Sequence, residues 1–312
     1  MSTEGGMKAV VAALAENLGI AIAKFIAFLV TQSSSMLAES IHSLADSGNQ
    51  VLLLIGNKRS QKVRTQTHQF GYGRRRYIYG FIVAIVLFLV GGLFSLYEGI
   101  HKVQHPEPLN DPQIAFGVLI IAIVLEGFSL RTALKESNKA RGHRSLPRFI
   151  RDTRNPELPV ILLEDTGALL GLVFALVGIT LAVVTGNGAF DGIGAMAVGT
   201  LLVVIAIFLA MEMTSMLTGE AALPEEDAAI TAAIESTDGV ERVIHQRTLH
   251  IGPDELLVAA KIAVPATATA AAVADVIDAA ELQIRTAVPD KTCVIYLEPD
   301  LYEADHRSAP PS

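Results

Sequence analysis

"SIHSLADSGNQ", residues 40–50, interrupts an apolar run that extends from about Met36 to Gly56. A histidine, an aspartate, an asparagine and a glutamine are expensive in such company. With Glu39 just ahead, Glu39, His42, Asp46 and Asn49 follow one another at spacings of 3, 4 and 3, which puts all four on one face of a helix. The stretch predicts a helix with one polar stripe. What surrounds it decides what kind of helix that is.

The surroundings are membrane-like. The chain has 312 residues, is 51% hydrophobic and has no tryptophan. A bilayer core needs about 20 apolar residues per helix. Six stretches qualify: Ala9–Val30, Met36–Gly56, Tyr77–Ile100, Pro112–Leu130, Pro159–Val184 and Phe190–Met211. After Thr218 the pattern changes to an acid-started helix, two strands around a Gly-Pro-Asp turn, a second helix and a last strand. The expected fold is therefore an α-helical membrane protein: a transmembrane domain over residues 1–217 with six transmembrane helices, then a cytoplasmic α-β-β-α-β domain over 218–312. That domain is a small α+β, ferredoxin-like unit with a short C-terminal tail.

Charge gives orientation. Lys58, Arg59, Lys62, Arg64, Arg74, Arg75 and Arg76 crowd between spans 2 and 3, and eight more Lys and Arg, from Arg131 to Arg154, follow span 4. The opposite loops carry only Lys102. By the positive-inside rule both basic segments, both termini and the tail lie in the cytoplasm; contact with membrane lipid follows, and anionic lipid is a further possible partner of the basic segments. A net charge of -8 argues against nucleic acid as a partner. The single cysteine, Cys293, permits no internal disulfide. The first residues, MSTEGGMK, lack the Arg- and Ser-rich character of a transit peptide, and the expected location is a prokaryotic inner membrane.

Ionisable groups inside spans mark function by default. Span 1 has Glu16, Asn17 and Lys24, span 2 has Glu39, His42 and Asp46, span 4 has Glu126, and span 5 has Glu164 and Asp165. Glu98 and Glu212 lie near span ends. Counted at about 1.5 Å per residue, Asp46, Glu126 and Asp165 fall at similar depth. Carboxylates and an imidazole gathered there suit a divalent cation, although a hydrogen-bonded bundle histidine and a helix-pairing aspartate are the plain alternatives residue by residue.

"LAESIHSLADSGNQVLLLIGNKRS" resembles the second span of the cation diffusion facilitators, and "HQFGYGRRRYIYG", His68–Gly80, is similar to that family's segment after span 2. Within the family the chain looks most like the branch that includes zinc transporter 9. The resemblance implies a homodimer, dimerised through its C-terminal domain, that exports divalent metal from the cytoplasm in exchange for protons. It implies His42 and Asp46 as metal ligands, with Asp165 as the span-5 aspartate. The family's span-5 histidine falls here on Ile161, which leaves Glu164 as its substitute; Glu39, Asn49 and Glu126 are further candidates. At the family's peripheral site His68 matches one ligand and Tyr72 replaces another. In the tail His245 and Glu298 fall near ligand positions, Lys261 and Tyr296 replace others, and weak metal binding or none is expected. His250 and His306 read as surface residues.

The expected function is Zn²⁺/H⁺ antiport through an intramembrane His/Asp/Glu site, with no enzyme activity and no cofactor beyond the transported metal. Export of Mn²⁺, Fe²⁺ or Co²⁺ fits the same donors. An intramembrane metallohydrolase and a membrane scaffold are rival classes. The first lacks a His-Glu-x-x-His pattern, and metal flux separates the second.

Overall fold

The computed structural model of the chain describes residues 3–142 and 144–302, with side chains from residue 17 onward except at 140. The Glu16 side chain and His306 lie outside the described residues. Six long helices come first: α1 (Thr3–Thr31), α2 (Ser34–Ser60), a third built from α3 (Arg75–Val86), a π-helical segment (Leu87–Leu93) and α4 (Phe94–Gln104), then α5 (Pro112–Arg141), α7 (Glu157–Thr185) and α8 (Ala189–Thr218). The short α6 (Leu146–Asp152) links α5 to α7. Among the described residues four helices are long and apolar enough to cross a membrane by length and composition, Arg75–Gln104, Pro112–Lys139, Glu157–Thr185 and Ala189–Thr218. The described apolar part of α1 is the shorter Asn17–Thr31. Helix α2 has the length but spends its buried face on Ser34, Ser35, Glu39, Ser40, His42, Ser43, Ser47 and Asn49.

Two compact units divide the described chain. The first holds α1 and α2 to Arg59 and then Arg76–Thr214. Its core joins Leu53 of α2, Val83 and Leu87 of the third helix, Val160 of α7, and Val198, Leu202 and Leu209 of α8. A second cluster packs Ala27 and Met36 against Leu119 of α5 and Leu172, Ala175 and Ile179 of α7. Helices α4 and α8 approach at glycines: a Cβ on Gly99 would lie 2.6 Å from Gly192 O, and one on Gly199 would lie 2.7 Å from Leu96 N. Small residues allow such close approach in a membrane.

The second unit holds Ser60–Arg75 together with Ser215 onward. Helices α9 (Pro224–Glu235) and α10 (Ala270–Ala287) and strands β1 (Arg242–Gly252), β2 (Glu255–Ala263) and β3 (Thr292–Asp300) give the order α-β-β-α-β. The sheet runs β1-β2-β3, with β1 and β2 antiparallel and β2 and β3 parallel. Leu256, Val258, Ala260 and Ile262 alternate inward along β2 and meet Ile230 and Ile234 of α9 and Ile284 of α10. The loop between α2 and α3 belongs with this unit. Arg64 reaches Glu255 at 3.3 Å, and a Cβ on Gly73 would lie 2.8 Å from the Cα of Gly252, so backbone packs directly on the β1–β2 turn.

One reading of the tail is corrected. His250 is fully buried, not a surface residue. The end of β1 runs under the segment before α9, where His250 N–H donates to Glu220 O at 2.8 Å and the ring lies 3.9 Å from Glu226. Strand alternation alone misses this, because His250, Ile251 and Gly252 are all buried in succession, His250 against the segment before α9 and Ile251 and Gly252 against Gly73.

Candidate metal site

Asp46, Glu126, Glu164 and Asp165 line one small cavity in the middle of the bundle, together with Asn17, Ile20, Ser43, Gln50, Ser129 and Ile161. The cavity measures about 20 Å³. A single water-sized occupant needs about 10–15 Å³ on this measure, so there is room for one small ion. Helical spacing puts the groups there. Asp46 and Gln50 are one turn apart on α2, Glu126 and Ser129 one turn apart on α5, and Ile161 and Asp165 one turn apart on α7.

His42 lies one turn from Asp46 on α2 and is fully buried. Its Nδ1 is 3.5 Å from Asp46 Oδ1. Both ring nitrogens of His42 and Asp46 Oδ1 have no hydrogen-bond partner among the described residues. The π-helical segment passes beside the ring, since a Cβ on Gly91 would lie 3.9 Å from Nδ1. Such segments recur at functional sites.

Glu164 and Asp165 are held by neutral donors. Asn49 donates from Nδ2 to Glu164 Oε1 at 2.7 Å, and Ser129 donates from Oγ to Asp165 Oδ2 at 2.9 Å. Glu39 is occupied differently. Lys24 Nζ donates to Glu39 Oε2 at 3.0 Å and to Ser43 Oγ at 2.7 Å, with both charged side chains fully buried. Among the described residues no three His, Cys, Asp or Glu side chains converge closely enough to hold a metal ion as they stand.

Two wider cavities flank the small one. One of about 230 Å³ is lined by Leu53, Leu54, Asn57, Glu157 and Ile161 and reaches Asp165. The other, about 290 Å³, is lined by Leu125, Phe128 and Thr132 and reaches Glu126. Gln50 and Ser129 line all three. Asn57 and Glu157 sit at the helix ends that carry the basic segments, so the site opens toward that side. At the opposite end, Ser33 Oγ, Ser34 N–H and Ser35 N–H all donate to the Asp191 carboxylate, at 2.8, 2.7 and 3.3 Å. Ser34 Oγ also donates to Glu98 at 3.0 Å.

Sequence reasoning missed Ser129 and Asp191. A serine in a span carries no signal by itself; for Asp191 a hint existed in the Ser33–Ser35 run, whose donors need an acceptor once buried. Among the described residues the peripheral positions show no group of three or more metal-ligating side chains. His68 stacks on Tyr72 with ring centres 4.5 Å apart. His245 pairs across the sheet with Lys261, which pairs with Glu298. Lys261 Nζ bonds Asp300 at 2.7 Å and Glu298 at 3.2 Å. Those two carboxylates, Asp300 first, hold the Lys261 ammonium above the ordinary lysine value.

The cation efflux transmembrane domain matches residues 10–218, the range of the six long helices, and the cytoplasmic domain of cation efflux proteins matches residues 223–300. The chain belongs to the cation efflux family. Among curated relatives of this family member, the mitochondrial proton-coupled zinc antiporter SLC30A9 of Mus musculus is 36% identical over 245 residues, covering 78% of this chain and 43% of that protein. Its counterpart in Homo sapiens is 35% identical with the same coverage. Metal tolerance protein C4 of Arabidopsis thaliana is 26% identical over 264 residues, 84% of this chain and 58% of its own length. The chain thus spans less than half the length of the zinc antiporters it matches. These relatives also correct the expected location: the similar antiporters are mitochondrial proteins of eukaryotes, which overturns the placement in a prokaryotic inner membrane.

Proposed function

We propose that this cation efflux protein exports Zn²⁺ across a membrane in exchange for protons, with Asp46, His42, Asp165 and Glu164 as the metal ligands and Glu126 completing the acidic cavity. The observation that carries the reading is the mid-bundle cavity, sized for one ion and lined by four carboxylates, beside a buried histidine neither of whose ring nitrogens has a hydrogen-bond partner among the described residues. Buried polar atoms without partners cost about 1–3 kcal/mol each. A cation that binds them repays that cost. Membership of the family and the named activity of the relatives support the same reading.

Glu39 and Asn49 take other roles in this scheme. Lys24 already neutralises Glu39, and Asn49 serves Glu164. Each ligand must shed protons to bind metal, so a group that alternates between metal and proton couples the two flows. The ligands stand apart in the present conformation, and the wide cavities reach them from the side of the basic segments. That fits a state open to the cytoplasm, in which helix movement would bring α2, α5 and α7 together around the ion. The unit that contains α9, α10 and the sheet is then cytoplasmic, and a homodimer forms through it.

The test is zinc flux in proteoliposomes holding the purified full chain, with and without an opposing pH gradient. Asp46→Ala should abolish flux while the protein still elutes as a dimer. Near wild-type flux in a correctly inserted Asp46→Ala protein would remove the site assignment.

A further inference from the structure

Glu164 and Asp165 are consecutive on α7, so they leave the helix about 100° apart. Each is caught from a different neighbour: Glu164 by the amide of Asn49 on α2, Asp165 by the hydroxyl of Ser129 on α5. Both still line the small cavity between those helices. We propose that Asn49 and Ser129 are positioning residues that fork this carboxylate pair around the cavity and thereby set which metal it prefers. The inference rests on the reading of the cavity as the ion site.

The chemistry follows from counting oxygens. A carboxylate offers two. When a neutral donor engages one, the other is the freer oxygen for the ion, which favours monodentate binding. Two monodentate carboxylates from α7 with Asp46 and His42 give a small donor number. That suits Zn²⁺, which favours four ligands in a tetrahedron. Freeing the second oxygens permits bidentate contact and a larger, oxygen-rich shell, which suits Mn²⁺ better. In this arrangement each donor acts on the ion through the carboxylate it holds. Asn49 presents its nitrogen to Glu164, and Ser129 points its proton at Asp165. Ser129 also lines both wide cavities as well as the small one, so its bond to Asp165 stands at the mouth that an incoming ion must pass.

Competition transport of Zn²⁺ against Mn²⁺ in proteoliposomes of the full chain tests this. Ser129→Ala should still transport but shift the ratio of KM values toward Mn²⁺ by about tenfold, the scale on which groups supporting a metal ligand act, with kcat for zinc changed far less. Ser129→Thr keeps the hydroxyl and should restore the wild-type ratio. Asn49→Leu, which frees Glu164, should shift preference in the same direction and carries the test if Ser129→Ala fails to insert. Asp165→Ala is the control for the site itself. If Asp165→Ala is inactive while both Ser129→Ala and Asn49→Leu keep the wild-type ratio, the positioning role is wrong and the metal site stands. Equal loss for both metals in Ser129→Ala and Ser129→Thr would mark a purely structural role and overturn the proposal too. If Asp165→Ala transports at the wild-type rate, the ion site lies elsewhere and this inference falls with it.

Discussion

Two acidic clusters sit at different depths of the same bundle, and they are finished to different degrees. Around Asp191, the carboxylate accepts from Ser33, Ser34 and Ser35, while Ser35 Oγ donates to the Asp191 carbonyl at 2.8 Å. The first backbone N–H groups of α2 are thus capped by a carboxylate, a favourable charge at a helix N-terminus. Around Asp46, neither Oδ1 nor the two nitrogens of His42 nor Oδ1 of Asn49 has a hydrogen-bond partner among the described residues. Both clusters lie within the helical bundle, although the one around Asp46 borders a cavity. A chain able to satisfy one has the means to satisfy the other, and under the proposed function the open valences at Asp46 are kept for an ion that comes and goes. The closed cluster ties the start of α2 to α8; the open one is where the proposed function puts the ion.

Swapping the damage tests this contrast most strongly. Asp46→Asn should lose essentially all zinc flux yet leave thermal stability in detergent equal to wild type or higher, because a buried group with an open valence becomes easier to accommodate. Asp191→Ala should do the reverse. It strands two N–H groups and a hydroxyl in the interior, at about 1–3 kcal/mol for each unpaired donor, while zinc affinity of the surviving folded protein stays close to wild type. Unfolding followed by size-exclusion chromatography and zinc binding by calorimetry read the two effects. Loss of stability in Asp46→Asn with normal behaviour in Asp191→Ala would invert the assignment of the two clusters.

A milder change sharpens the open cluster alone. Ile161 lines the small cavity one turn from Asp165, on the face where the family resemblance expects a histidine. Ile161→His adds a nitrogen donor beside the carboxylates, and imidazole suits zinc better than manganese. Zinc preference over manganese in competition transport should rise severalfold, on the order of the tenfold steps typical for ligand changes. An unchanged preference would mean that the ion binds away from α7.

How much of this was legible beforehand depends on whether the signal is local. The apolar runs and the 3-4-3 stripe of α2 are local, and so are the tail's order of helices and strands; the six long helices and the α-β-β-α-β unit follow them. The common depth of Asp46, Glu126 and Asp165 needed only a count of residues, and the cavity gathers all three. Pairings between helices are not local. Nothing in the spacing says that Lys24 takes Glu39, that Ser129 takes Asp165 or that Asn49 spends its amide on Glu164. Threonines and serines in spans commonly bond back to a carbonyl one turn earlier, as Thr132 does to Phe128, so a serine that instead reaches across to another helix looks the same in the sequence. The affiliation of Ser60–Arg75 with the C-terminal unit is equally hidden, because it rests on pairings distant in sequence, Arg64 with Glu255 and the backbone of Gly73 with that of Gly252.

The smallest effect belongs outside the membrane, where a lysine occupies the ground that the resemblance would give to a metal ligand. Lys261 bridges Asp300 and Glu298 along neighbouring strands, and its pKa stands above the ordinary lysine value of 10.5. Folding therefore favours the charged form. The stability this adds is fully present below 10.5 and is lost only as pH rises through the higher folded value. The pair is open to solvent, so its contribution is modest and falls further with salt. Unfolding of the full chain should show no step from this group anywhere below the ordinary lysine value. A small loss at more alkaline pH should be absent in Lys261→Met. The same variant should leave zinc flux unchanged, since the ammonium sits in the unit remote in sequence from α2 and α7. A clear gain of tight zinc binding in Lys261→Met, through His245 and Glu298, would instead show that the lysine holds a second metal position closed, and would give this end of the molecule an open cluster of its own.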